Sequence, residues 1–273
     1  MAGRGRPKGS GRWTGAGAGG VQALDRALGL CAVIAEADGL TLSQIAERTE
    51  LPASTAHRLL TTLAAHGFVE TNEADRTWAI GVEAFRVGQA FSRRMRPIAA
   101  ARPVMRDLME ETGETANLGI FEGGDAVFVA QVESREPIRA FFRAGERRAA
   151  HASGIGKALL ATRSDEEVGR WLAGRELEGY TPKTITSPDL LRAELEAVRL
   201  RGYAVDDEER GLGMRCIAAA VFDENGEAVA ALSISGPVQR LAPEEVRRLG
   251  PIVLAAADRL TRAIGGRLKH ECA

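Results

Sequence analysis

What this chain has little of narrows it first. Its three cysteines, Cys31, Cys216 and Cys272, are an odd number at no metal-ligand spacing, and its four histidines, His57, His66, His151 and His270, do not cluster with them. That arrangement argues against a disulfide framework and against a structural metal, leaving reduced thiols as the default and no metal or cofactor implied. There is no apolar run of about 18 residues and no secretory leader, so no membrane partner is expected and a cytoplasmic setting is. Net charge is nearly absent too, at −1 from 36 Lys+Arg and 37 Asp+Glu. The balance is uneven: residues 1 to 96 hold 12 basic and 9 acidic residues (+3), leaving 24 and 28 (−4) for the remainder. A basic head precedes an acidic body. At 273 residues and 45% hydrophobic content, the chain can bury two separate cores.

The most informative segment that is present runs from Ala53 to Gly67, ASTAHRLLTTLAAHG. At 3.6 residues per turn, Ala56, Leu59, Leu60 and Leu63 form one apolar stripe, and Ser54, Thr55, Arg58, Thr61 and Thr62 line the opposite side. Short hydroxyl side chains around a guanidinium suit the DNA major groove. Upstream, residues 41 to 51 read as a short helix capped by Thr41, with Leu42, Ile45 and Ala46 facing inward, and Leu51-Pro52 forces a turn. A longer amphipathic helix (21 to 37) precedes it. Two β-like runs, 68 to 71 and 77 to 80, follow around a polar turn containing Arg76. Three helices and a hairpin make a winged helix-turn-helix, expected over residues 19 to 82.

The first 18 residues carry Arg4-Gly5-Arg6-Pro7-Lys8 and nothing apolar around it to bury, so a disordered tail is expected. Its pattern is similar to an AT-hook, in which Arg4, Arg6 and Lys8 would follow a narrow A·T minor groove; a solubilising tail is the alternative. Residues 83 to 96 continue as a helix with Ala84, Val87, Phe91 and Met95 at helical spacing, and Arg93, Arg94 and Arg96 close the basic head. Such a stripe either seals against a second subunit or packs within the chain. The linker is expected over 83 to 100.

Residues 101 to 268 read as a second, mixed domain, so the fold class is α+β. A helix at 102 to 113 precedes strands at 115 to 121, 126 to 133 and 137 to 142, expected as an antiparallel meander. Helices at 154 to 163, 164 to 174 and 187 to 201, strands near 203 to 206, 214 to 223 and 227 to 235, and a last helix from 243 to 268 complete it. A curved sheet with helices on one side would leave a concave ligand cup. Three segments could furnish that cup. His151 to Ala158, HASGIGKA, leads into a helix whose free first amides suit an anion, although it lacks the glycine and hydroxyl of a nucleotide-binding P-loop. Ser233 and Ser235 share one face of a strand, Cys216 lies on the next, and Asp206 heads an acidic run. By spacing alone, pocket and tight packing are equally good readings.

The winged helix-turn-helix, HASGIGKALLA and RGYAVDDEERGLGMRCIAAAVFDENGEAVAALSISGP together resemble the IclR family of bacterial transcription regulators over about residues 19 to 268. Within it the resemblance is to the allantoin- and glyoxylate-responsive repressors. It implies a GAF-like effector domain that holds a small acid such as glyoxylate through the Gly154 and Ile155 backbones, Asp206, Cys216, Ser233 and Ser235. It implies also a double-stranded operator as partner, a homodimer or homotetramer, a nucleoid-associated location, and no catalytic residue. Ile155, Met214 and Ala140 depart from the pattern of those repressors and would reshape the apolar wall. Two other classes stay open: a hydrolase with Cys216 or Ser235 as nucleophile and His151 as base, and an architectural DNA-binding protein using the tail.

Overall fold

The computed structural model describes residues 20–72, 74–94 and 96–268. Arg4, Arg6 and Lys8, with Met95 and Cys272, lie outside the described residues. The chain divides into two compact units between Arg94 and Met95.

The first unit is built from α1 (Gln22–Ala35), β1 (Leu40–Thr41), α2 (Leu42–Thr49), α3 (Ala53–Ala65), β2 (Val69–Asn72), β3 (Thr77–Ile80) and α4 (Val82–Arg94). Thr41 begins α2 through a capping box: its hydroxyl accepts the Gln44 amide, and the Gln44 side chain accepts the Thr41 amide. Such a cap contributes about 1 kcal/mol. Glu50 ends the helix in the left-handed region, and Leu51-Pro52 redirects the chain into α3. Leu30, Ile34, Ile45, Ala56, Leu60, Val69 and Trp78 close over one core, with Leu59 and Leu63 packed on its edge. The expected inward stripe of α3 is therefore the buried one. The wing holds one strand more than the sequence pattern suggests, because β1 pairs with β3 in the order β1-β3-β2.

The second unit contains α5 (Arg96–Thr112), β4 (Thr115–Glu122), β5 (Asp125–Val132), β6 (Arg147–Ala149), a 3-10 turn at Ala150–Ala152, α6 (Gly154–Ala161), α7 (Asp165–Leu172), α8 (Pro188–Arg201), β7 (Ala204–Asp207), β8 (Met214–Phe222), β9 (Ala228–Pro237) and α9 (Pro243–Ala263). Its six-stranded antiparallel sheet has the order β6-β5-β4-β9-β8-β7. Strand parity sorts the side chains. Ala116, Leu118, Ile217, Ala219, Leu232 and Ile234 fall on one face and pack with Met105 and Leu108 of α5 and Val253, Ala257 and Leu260 of α9. Ala218 and Ala231 fall on the other and meet Ile155, Ala158 and Leu159 of α6 and Leu191 and Leu195 of α8. Each large aliphatic side chain buried this way contributes about 1.5 to 3 kcal/mol.

Four sequence expectations change. Both sheet faces carry helices, so the ligand cup is not an open face. Residues 137 to 142 are not a strand: Phe142 turns inward to stack on Phe128, ring centres 4.3 Å apart, and the third meander strand is β6. Arg139, Ala140, Phe141 and Phe142 instead line a cavity as a consecutive run. Helix α5 starts at Arg96 rather than Arg102, and α9 stops at Ala263, before Gly265 and Gly266.

Candidate nucleic-acid interface and ligand pocket

On α3, Ser54, Arg58, Thr61 and Thr62 are exposed, as the outer face of the helix requires, whereas Thr55 is half-buried and belongs to its edge. The Thr61 hydroxyl donates to the His57 carbonyl (2.9 Å) and that of Thr62 to the Arg58 carbonyl (3.1 Å). Both hydroxyl oxygens stay available as acceptors beside the exposed Arg58 guanidinium, which has no acceptor among the described residues. His57 was not in the expected set, yet it is exposed on the same helix, edge-on to Trp78 with ring centres 6.4 Å apart. Its position one residue before Arg58 and four before Thr61 was the signal available for it. Arg76 is exposed at the tip between β2 and β3, held in the left-handed region next to Asp75, whose carboxylate accepts the Thr77 amide (3.1 Å) and hydroxyl (2.6 Å). That turn sets the arginine at the end of the wing.

In the second unit the sheet register assembles a polar stripe from three distant stretches of sequence. Asp206 pairs with Cys216, Cys216 with Ser235, Ala218 with Ser233, and Ser233 with Asn117. Asn117, absent from the sequence-based set, holds the stripe together: its Nδ2 donates to the Ser233 (3.4 Å) and Ser235 (3.3 Å) hydroxyl oxygens, and its Oδ1 accepts from Gln131 Nε2 (2.9 Å). With their oxygens engaged by that amide, both serines are left with hydroxyl protons to donate.

Helix α6 comes down on this stripe at its first turn. Ser153 caps it, accepting the Gly156 amide on its hydroxyl and the Lys157 amide on its carbonyl (2.8 Å), which leaves the amides of Gly154 and Ile155 as the open pair of the helix start. The two glycines are there for close approach. A Cβ on Gly154 would lie 2.9 Å from Cys216 Sγ, and one on Gly156 would lie 2.3 Å from the Ala150 carbonyl oxygen. The helix start and the stripe bound a cavity of about 270 Å³, lined by Gly154, Asp206, Cys216 and Ser235, with Ala140, Phe142 and Met214 on its apolar wall. Four of the six expected effector residues therefore meet there. Ser233 lies one step beneath, fully buried on Asn117, and the Ile155 side chain points into the core against Gly119, so only its amide is available to a ligand.

Electrostatics in the cavity are set by burial. Asp206 is pushed above the usual carboxylate range by burial, against the pull of the Glu209 amide, which donates to Oδ1 at 2.8 Å, and of the Lys157 charge. Burial drives the Cys216 thiol up to about 11, with the Asp206 charge adding to it and the Ser235 and Ser233 hydroxyls opposing. Lys157, in the first turn of α6, is buried with its ammonium donating to Glu209 and with Glu194 at 3.6 Å. Its ammonium is taken up by these carboxyl groups rather than open to a phosphate.

These positions dispose of the hydrolase alternative. A thiol at about 11 is protonated at neutral pH and is a poor nucleophile. His151 is buried with Nε2 on the Glu178 carbonyl at 2.9 Å, and burial lowers its pKa. It is not hydrogen-bonded to Cys216 or Ser235 among the described residues.

Comparison with known proteins agrees. Residues 23–73 match the IclR helix-turn-helix domain, and residues 89–262 match the C-terminal domain of bacterial transcriptional regulators of the IclR type. The chain belongs to the IclR family. Its relatives are transcriptional regulators, not enzymes: it is 49% identical to the HTH-type transcriptional regulator BhcR of Paracoccus denitrificans (94% of this chain, 93% of that one), and 43% identical to the transcriptional repressor IclR of Escherichia coli K12 (90% and 91%). Identity to the repressor AllR of the same E. coli strain is 37% (90% and 91%), so the allantoin-type likeness read from the motifs is weaker than that to BhcR and IclR. A solved IclR homolog from Microbacterium hydrocarbonoxydans, complexed with 4-hydroxybenzoate, superposes with a TM-score of 0.75 at 26% identity over 88% of this chain and 99% of that one.

Proposed function

We propose that this IclR-family regulator is a cytoplasmic, nucleoid-associated repressor whose operator affinity is lowered by a small carboxylic acid of the glyoxylate type. The observation that carries the reading is the cavity itself. Serine hydroxyls, helix-start amides and a buried carboxylate converge on one space, in a chain that also presents an exposed arginine and hydroxyls on a helix-turn-helix.

The chemistry follows from the groups present. An acid's carboxylate accepts from the Ser235 hydroxyl and from the Gly154 and Ile155 amides, where the helix start favours negative charge. Asp206 would repel a second anionic oxygen, so it accepts from a hydroxyl of the ligand, which a hydrated aldehyde or a 2-hydroxy acid provides. Cys216 serves as a small, neutral wall. Carboxylate binding to a family member is consistent with the 4-hydroxybenzoate complex. The acid acts by population shift: it must bind the form with weak operator affinity better than the form with strong affinity, since equal binding changes nothing.

On DNA, Ser54, Arg58, Thr61 and Thr62 read bases or phosphates of the major groove, with Thr55 at the edge of that set, while Arg76 on the wing and Arg4, Arg6 and Lys8 on the tail contact the minor groove and backbone. One such head reads too few base pairs for a unique site, so the active species is a homodimer or a homotetramer. Val87 and Phe91, one turn apart on α4, are exposed as an apolar stripe that a second subunit would cover, and Val82 and Phe85 are exposed on another side of the helix. Ala84, expected in this stripe, is half-buried.

The test is a thermal-shift screen of small 2-oxo and 2-hydroxy acids, glyoxylate first, followed by operator binding with each acid that stabilises the protein. An acid at about 100 times its dissociation constant should add about 2.7 kcal/mol of stability. Stabilisation without any change in DNA affinity would contradict the reading.

A further inference from the structure

The charges around the cavity do not close on themselves. Four arginines line it, Arg139, Arg148, Arg210 and Arg215, against the single carboxylate of Asp206. Three of them are already engaged. Arg139 Nε donates to Glu133 at 2.8 Å, Arg148 to Glu146 at 2.6 Å, and Arg215 Nε to Asp207 at 2.7 Å. Arg210 is different: among the described residues no carboxylate stands within ion-pair distance of it. Its guanidinium lies over the Tyr180 ring, 3.9 Å from the centre, and its Nε is buried with no acceptor. A guanidinium keeps its charge at any physiological pH, and leaving such a donor buried and unmatched is costly unless a ligand completes it.

Size points the same way. A cavity of about 270 Å³ holds roughly nine waters at about 30 Å³ each, well beyond a hydrated two-carbon acid. The stacked Phe128 and Phe142 rings contribute to its wall, which suits a short carbon chain.

We propose that Arg210 is a second carboxylate-binding point, so that the pocket accepts a four- or five-carbon dicarboxylic acid bearing a 2-hydroxy group. This rests on the small-acid reading above and names its class more narrowly. One carboxylate takes the Ser235 and α6 end, the 2-hydroxyl donates to Asp206, and the far carboxylate pairs with the Arg210 fork. Glyoxylate then fills one end only.

The test compares L-malate with (S)-2-hydroxybutyrate, which differ by a carboxylate in place of a methyl group, by calorimetric titration of the full chain and of Arg210→Met. Malate should bind the unaltered protein at least about tenfold more tightly, and that preference should shrink to about twofold or less in Arg210→Met. Binding of (S)-2-hydroxybutyrate should be unchanged in the variant, which also reports that the pocket is still formed. Should Arg210→Met melt markedly lower, Arg210→Gln, which keeps a polar planar head over Tyr180, repeats the comparison. Equal affinities in the unaltered chain, or a malate preference that survives both substitutions, would overturn the assignment while leaving the small-acid reading intact, provided glyoxylate or 2-hydroxybutyrate binds. Binding of no acid at all would overturn both.

Discussion

At the scale of single residues, the account separates groups that touch a ligand from groups that hold the pocket. Arg58 is exposed on the outer face of α3, so Arg58→Ala should leave the fold intact and weaken specific operator binding by about 1 to 3 kcal/mol, measured by fluorescence anisotropy. Equal loss on operator and on random DNA would move Arg58 from base reading to phosphate contact. In the pocket, Ser235→Ala removes a donor from the acid's carboxylate and should cost roughly 1.5 to 3 kcal/mol of effector affinity. Asp206→Asn should cost less, and tighter binding in that variant would mean that the carboxylate only repels. Glu209 gives a pH signature. Burial raises it to about 7, with Lys157 opposing and Asp206 reinforcing, so the folded chain keeps this proton up to about pH 7 while the unfolded chain releases it near the ordinary 4.5. Its ionisation therefore costs stability as pH rises from about 4.5 to 7. Denaturant melts of the unaltered protein should show that decline, and Glu209→Gln should flatten it; identical slopes would remove Glu209 as the cause.

At the scale of elements, the approach of α6 to the sheet is the feature the pocket depends on. Gly156→Ala would force a Cβ within 2.3 Å of the Ala150 carbonyl, which is backbone and cannot swing aside. Overpacking of this kind costs about 1 to 3 kcal/mol, and the displaced helix start should lose effector binding as well. A variant with unaltered melting and binding would show that α6 shifts freely. Elements defined by local periodicity were legible in the sequence: α3 by its two faces, α2 by the Thr41 box, α9 by Pro243 and two glutamates. Elements defined by partners were not. Strand β1 is two residues long and exists only because β3 accepts it, and residues 137 to 142, strand-like in their apolar content, form a cavity wall held by the stacking of Phe142 on Phe128. The same limit applies to the site. Ser233, Ser235, Cys216 and Asp206 could be grouped by strand parity, but Asn117 and Arg210 gain their roles from register and burial, which spacing along the chain does not encode.

At the scale of the whole molecule, two compact units with different chemistry, one reading DNA and one enclosing a small cavity, must communicate if the protein is a regulator. The exposed apolar residues of α4 lead to the expectation of a dimer or larger at micromolar concentration, and sedimentation of a stable monomer in the presence of operator would count heavily against that arrangement. The most direct test of the central claim is the affinity of the full chain for a DNA fragment it has itself selected from a random pool, measured with and without saturating glyoxylate or a 2-hydroxy dicarboxylic acid. A fall in affinity with the acid, lost when Ser235 is replaced by alanine, is the predicted result. Affinity that stays the same across the whole panel of acids, although at least one of them binds the protein, would contradict it.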